Sequence, residues 1–205
     1  MINIGILVSG NGTNMEAILK ASENGILENR INPVVIISNN REAKAIEKAR
    51  KYKSIVEFII ERETYKSAQT YDKAVCDTLK LYEVDLVVLA GYNRLIKNYS
   101  HPDCILRSFS KRIVNIHPSL LPAFPGMGAI KQALDYGVKI TGCTIHWVDA
   151  GMDTGKIIKQ KSCIIEPEDT LETLTNRVHK SEHSLYVEAL RNVYFLMKRP
   201  KYDKY

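Results

Sequence analysis

Asn115 and His117 stand two residues apart, and Pro118 and Pro122 follow closely. In an extended chain residues i and i+2 point to the same side. A carboxamide and an imidazole would then face one cleft, with the prolines stiffening the exit from the strand. Open α/β folds bind ligands at the carboxyl edge of the sheet, where these two groups would meet. A single histidine is more often structural, and His101 and His183 are read that way. The Asn-x-His spacing at a strand end, before a rigid turn, argues for function.

Three other features carry polar groups to places where they need a reason. The run Asp149-Ala150-Gly151-Met152-Asp153-Thr154-Gly155 packs two acids and two glycines into a tight loop. It is either a surface turn, the ordinary case, or a loop that reaches over the cleft with one carboxylate; spacing does not decide between them. The run Ser9-Gly10-Asn11-Gly12-Thr13-Asn14 separates a strand-like segment from a helix-like one. Its glycines allow a turn with the N–H groups outward, and a helix N-terminus favours an anion, so a phosphate would fit. A plain strand-to-helix turn is an equally good reading. The loop is neither GxGxxG nor a Walker sequence, which tells against dinucleotides and nucleoside triphosphates. Glu182 falls on the apolar stripe of the last helix pattern, where an acid needs a partner. It is either a salt bridge at the stripe's margin or a carboxylate that accepts ligand hydroxyls. No metal is expected, and the contexts of Ser119 and Cys143 lack a nucleophile elbow.

The elements that must position these groups follow from the apolar pattern. INIGILV, VVIISN, SIVEFII, VDLVVLAG and RIVNIH read as five strands rich in Val and Ile, as strands buried on both faces should be. Helical patterns lie between them near Met15–Ser22, Glu42–Tyr52 and Gln69–Tyr82. This alternation predicts an α/β fold with a doubly wound, mostly parallel sheet. KITGCTIHWVDAG and GKIIKQKSCII read as an antiparallel C-terminal strand pair joined by the turn around Gly151 to Gly155. A long terminal helix follows, with Asp169 and Glu172 as a capping box and Leu171, Leu174, Val178, Leu185, Ala189 and Leu196 as its apolar stripe. No Gly/Pro/Ser-rich linker divides the chain, so residues 1–205 are read as a single domain.

Composition sets the outer bounds. The chain has 205 residues, 45% hydrophobic and 25% charged, an ordinary globular balance. No apolar run approaches a membrane span, and the first segment lacks the basic start and apolar middle of a signal peptide. A cytoplasmic location is therefore expected. Cys76, Cys104, Cys143 and Cys163 form no CxxC pair and read as free, mostly buried thiols in a reducing compartment. The net charge of +6 could mean nucleic acid, but the basic residues are dispersed with no recurring aromatic-basic stretch, and a small anionic substrate suits this modest excess equally well.

Taken together, these motifs resemble the phosphoribosylglycinamide formyltransferases. The resemblance covers nearly the whole chain, from Ile4 to about Leu190, and is most specific in NIHPSLLPAFPG (115–126) and TGCTIHWVDAGMDTG (141–155). AGYNRLI (90–96) is similar to the family's folate-contacting loop, and SGNGTN to its phosphate loop. The resemblance implies a Rossmann-like formyltransferase fold. It also implies transfer of the formyl group of 10-formyl-tetrahydrofolate to the amine of glycinamide ribonucleotide, with no metal. Carried over by position, the catalytic set is Asn115, His117 and Asp153. Gly12, Thr13 and Asn14 would hold the phosphate and Glu182 the ribose, while Arg94, Leu95, Ile96 and Asn115 would meet the folate. The chain departs from the family at Ala68, where a basic residue is common, and at Asn93, where an apolar one is usual; Lys97 to Lys111 is longer than in some relatives. The expected partners are the two small molecules, without nucleic acid or membrane, for a monomer or homodimer. A formyl-folate hydrolase, a sugar-amine formyltransferase and a non-catalytic phosphate-ligand binding protein stay as alternatives. The phosphate-like loop counts against the first two and the Asn115, His117, Asp153 combination against the third.

Overall fold

In the computed structural model, residues 1–94, 96 and 104–199 are described. The strands are β1 (Ile2–Val8), β2 (Ile31–Ser38), β3 (Val56–Ile59), β4 (Leu86–Leu89), β5 (Ile113–His117), β6 (Ile140–Trp147) and β7 (Ile157–Ile164). The helices are α1 (Thr13–Asn24), α2 (Lys44–Ala49), α3 (Ala68–Leu81), α4 (Ile105–Ser108), α5 (Ala129–Tyr136) and α6 (Leu171–Met197). One sheet runs in the order β3-β2-β1-β4-β5-β6-β7. Its first five strands are parallel, and β6 and β7 are antiparallel additions. The doubly wound sheet, the C-terminal strand pair and the long terminal helix all match the sequence expectation.

The apolar strands bury both faces because helices cover both. Ile4, Ile6, Val88, Val114 and Ile116 pack with Met15, Ile18 and the α6 residues Val178, Leu185, Tyr186 and Ala189. Leu7, Val87, Leu89 and Ile113 pack on the other face with Val75, Leu79, Ile105 and Phe109. Tyr186 ties the two ends of the fold together: it is fully buried, with its hydroxyl 2.8 Å from the Leu89 carbonyl oxygen and 3.4 Å from that of Val114. The strand order reverses direction at β1 and β4, the kind of switch point where open α/β sheets leave a crevice at the carboxyl ends of their strands. The loops after these two strands meet there, with the Asn93 N–H donating to Ser9 Oγ at 2.9 Å.

Several local expectations are corrected. The cap of α6 is Thr170, which forms a reciprocal capping box with Thr173, not Asp169 with Glu172. Asp169 instead takes Arg177 in a two-pronged ion pair with both N–O distances at 2.7 Å, because the guanidinium fork reaches back along the helix. Leu171 is 43% exposed and so lies outside the apolar stripe; at the first residue of the helix it projects beyond the sheet. The stripe includes Tyr186, Leu190 and Val193 in addition. The short helices α4 and α5 have too few turns to show a helical period in the sequence.

The Arg177 guanidinium holds the Asp169 carboxyl down at about 2. A lowered folded-state value stabilises above the unfolded value of about 3.9 and is lost as pH falls through the folded one. Melting temperature should therefore fall less between about pH 4 and pH 2 in Asp169→Asn than in the parent protein, as followed by circular dichroism.

Candidate catalytic and ligand-binding site

The central pairing lies at the carboxyl end of β5. Asn115 and His117 alternate with Val114 and Ile116, which face α6, so the two polar side chains share the opposite face. β6 runs antiparallel beside them, and its register sets Asn115 across from His146 and His117 across from Thr144. Asn115 Nδ2 lies 3.2 Å from His146 Nε2. His117 is 4% exposed. Its Nε2 is 2.8 Å from the Phe124 carbonyl oxygen, which only accepts, so that nitrogen carries a proton. Its Nδ1 is 3.3 Å from Asp153 Oδ2. An imidazolium donates at both positions, whereas a neutral ring serves only one.

The loop after β6 brings Asp153 to that histidine. Asp149 Oδ1 accepts from the Gly151 N–H at 3.0 Å and from Thr154 Oγ1 at 2.7 Å, which braces the turn. Gly155 closes it against β6, and a Cβ there would lie 1.6 Å from the Trp147 carbonyl oxygen. Asp153 itself has φ 56, a left-handed conformation that is strained for a residue with a side chain. In return, Asp153 Oδ2 accepts from the Gly126 N–H at 2.8 Å, and Oδ1 lies 3.6 Å from His146 Nε2. The structure thus joins Asn115, His117 and Asp153 and adds His146. The one signal in the sequence for His146 was an ionisable side chain in the otherwise uncharged run TGCTIHW.

A second group forms where α1 begins. Gly12 is the N-cap of α1, with φ 66 and no side-chain cap, so the first-turn N–H groups have no intrahelical partner. Asn14 and Glu182 are buried at 7% and 4% exposure, and Asn14 Nδ2 donates to Glu182 Oε2 at 2.8 Å. Asn14 Oδ1 is buried with no hydrogen-bond partner among the described residues. Burial pushes the Glu182 carboxyl up, against the Asn14 amide and the charges of His179 and His117, which pull it down. Glu182 is therefore neither a marginal salt bridge nor an idle acid: it links α6 to the first turn of α1 and feels the charge of His117.

The folate residues expected from the sequence divide. The Arg94 guanidinium sits over the Tyr71 ring, 5.2 Å from its centroid. Ile96 is 5% exposed and packs within the core on the α3 and α4 face. Leu95 lies outside the described residues. A groove of about 1370 Å³ lies elsewhere, lined by residues of α4, of the turn between β6 and β7, and of the end of α6, and it is lined by none of Asn115, His117, Asp153 or Gly12 to Asn14. All four cysteines are free and buried, and burial raises the Cys143 thiol to about 12, so it is no nucleophile at neutral pH. His179 and His183 stand four apart on α6, a two-histidine spacing the sequence reading passed over, but no group of three metal-ligating side chains forms among the described residues.

A crevice at a switch point, an uncapped helix start and a buried polar cluster sit together in a doubly wound fold, and the comparisons give that fold a transferase class. Residues 2–190 match the formyl transferase family model, and the chain belongs to that family. It is 41% identical over 199 residues to the phosphoribosylglycinamide formyltransferase of Bacillus subtilis, covering 97% of this chain and 98% of that one. It is 38% identical over 187 residues to the trifunctional purine biosynthetic protein adenosine-3 of Drosophila melanogaster, covering 91% of this chain but 13% of that one. The crystal structure of glycinamide ribonucleotide transformylase 1 from Symbiobacterium toebii superposes with a TM-score of 0.89 at 43% identity, over 95% of this chain and 88% of that one.

Two substitutions test the second group. A Cβ on Gly12 would lie 2.6 Å from the Ala45 Cβ, in a backbone conformation that L-residues resist. Gly12→Ala should cost about 1–2 kcal/mol of stability in urea unfolding from the conformation alone, with part of the loss recovered in the Gly12→Ala/Ala45→Gly double variant. Glu182 has a raised folded-state value, so its protonated form is the stabilising one, and that stability is lost as pH rises. Glu182→Gln should therefore melt at least as high as the parent at pH 8, with its advantage shrinking toward acid pH.

Proposed function

We propose that the chain transfers the formyl group of 10-formyl-tetrahydrofolate to the primary amine of 5-phosphoribosyl-glycinamide, a step of purine synthesis, in the cytoplasm and as a single catalytic domain. The observation that carries this reading is the convergence of Asn115, His117 and Asp153 at the carboxyl end of β5, from one strand and a returning loop. The amine attacks the formyl carbon, and negative charge develops on the formyl oxygen. An N–H of Asn115 donates to that oxygen. His117 supplies positive charge beside it. Both ring nitrogens already face protein oxygens, so the histidine acts through its field in this arrangement rather than as a further donor. The attacking amine must shed a proton, and Asp153 is the carboxylate held closest to the pair. No covalent enzyme intermediate is required.

Binding follows the second group. The uncapped start of α1, at Gly12, Thr13 and Asn14, suits the phosphate, since its free N–H groups and helix dipole favour an anion. Glu182 suits the ribose hydroxyls, and a ligand hydroxyl would also satisfy the orphaned Asn14 Oδ1. Arg94, Leu95 and Ile96, which follow β4 in the chain, are assigned to the folate together with Asn115.

The decisive assay mixes the protein with both substrates and follows loss of the formyl donor, with donor alone as the control for hydrolysis. Asp153→Asn keeps the side-chain shape and should reduce kcat by ~10² or more, a typical effect of losing a group used in the transition state, while KM for each substrate changes little. A kcat near that of the parent across pH would remove Asp153 from the mechanism. Glu182→Gln should raise KM for the ribonucleotide about tenfold, as expected for a lost charged hydrogen bond, with the folate KM unchanged.

A further inference from the structure

His146 stands directly across from Asn115 in the register of β5 and β6, and it is 2% exposed. Its two ring nitrogens have different neighbours. Nδ1 lies 2.9 Å from the Trp147 carbonyl oxygen, which only accepts, so Nδ1 carries the proton. Burial lowers the pKa of the ring, opposed by the Trp147 carbonyl and by Asp153 and Asp149 in the loop and reinforced by His117 on β5. The ring is neutral, and Nε2 is left as a bare acceptor. The carboxamide that meets Nε2 at 3.2 Å must therefore present its N–H end.

We propose that His146 is a positioning residue for Asn115: its unprotonated Nε2 selects one of the two orientations of the Asn115 carboxamide, and so decides which polar atom that side chain offers to substrate. The proposal rests on the reading of Asn115 as the donor to the formyl oxygen. The two orientations of an asparagine amide are nearly identical in shape and opposite in hydrogen-bonding sense. With the nitrogen turned to β6, one N–H is held by His146 and the second remains for a ligand oxygen. The flipped amide would set Oδ1 against the lone pair of Nε2, and that repulsion disfavours it. Asp153 Oδ1, at 3.6 Å, is beyond hydrogen-bond range of this nitrogen and leaves it to Asn115. A protonated ring would turn its new N–H toward that carboxylate and no longer accept from the amide.

Two measurements test this. Nitrogen NMR of the wild-type chain with 15N-histidine should show His146 protonated at Nδ1 and bare at Nε2 at neutral pH; a ring protonated at Nε2 overturns the proposal, and this readout needs no variant to fold. Steady-state kinetics then compare His146→Phe and His146→Gln in the parent and in an Asn115→Ala background. His146→Phe keeps a ring and removes the acceptor, and should lower kcat by about tenfold or more, short of the ~10²–10³ expected from losing the donor itself, with both KM values little changed. His146→Gln, whose amide oxygen can replace the acceptor, should recover most of that loss. Once Asn115 is gone, His146→Phe should cost almost nothing further, because both act through one amide. An equal loss in both backgrounds, or no loss in the parent, overturns the proposal. If Asn115→Ala alone leaves kcat intact, it is the donor reading that fails, a result distinguishable from either.

Discussion

β5 is the last strand of the parallel run and the first partner of an antiparallel one, and the register of that second pairing governs where the site's polar groups lie. Asn115 opposite His146 and His117 opposite Thr144 put four polar side chains on one face of two adjacent strands. A slip of one residue in β6 would turn His146 to the other face, among the apolar side chains under α6. Because β6 runs back along β5, the loop that follows it begins beside Val114, close enough for Asp153 to return to His117.

The site holds several arrangements that a structure selected for stability alone would avoid. Asp153 sits at positive φ, Glu182 is an acid under apolar packing, and Asn14 Oδ1 is a buried acceptor without a donor. Each is unfavourable by itself. They persist because the surrounding scaffold is tightly determined: the Asp149 turn, the Gly126 N–H and Gly155 leave Asp153 little choice, and the packing of α6 leaves Glu182 none. Concentrated cost of this kind is what preorganised binding and catalysis require.

One helix couples the two groups of residues. α6 carries Glu182 to Asn14 in the first turn of α1 and, one turn on, Tyr186 to the backbone at the end of β4 and in β5. The loop assigned to phosphate and the strand that bears Asn115 and His117 are therefore positioned against the same rigid element. That common support keeps an amine and a formyl carbon in a fixed relation once each substrate is held, which is where much of the rate gain of a two-substrate transfer arises.

Much of this was open to reading in the chain itself. The Val- and Ile-rich runs specify strands covered on both faces, their alternation with helical periods specifies a doubly wound sheet, and the Asn-x-His at a strand end marks its own importance through the period-two geometry of a strand. Local signals failed where longer-range forces prevailed. Asp169 looks like a cap residue, yet Arg177 takes its carboxylate and Thr170 caps instead. The close approach of Ala45 to Gly12 is likewise a contact that no local signal shows. His146 is one of several polar residues in a buried strand, and only strand pairing gives it Asn115 as a partner. Periodicity and turn chemistry are properties of neighbours in sequence, so the sequence by itself determined the elements and the loops that could do chemistry. Which carboxylate meets which imidazole depends on strand register and on contacts between residues tens to more than a hundred positions apart, and only the tertiary structure decided that Asp153 faces His117, that Glu182 holds Asn14 and that His146 faces Asn115.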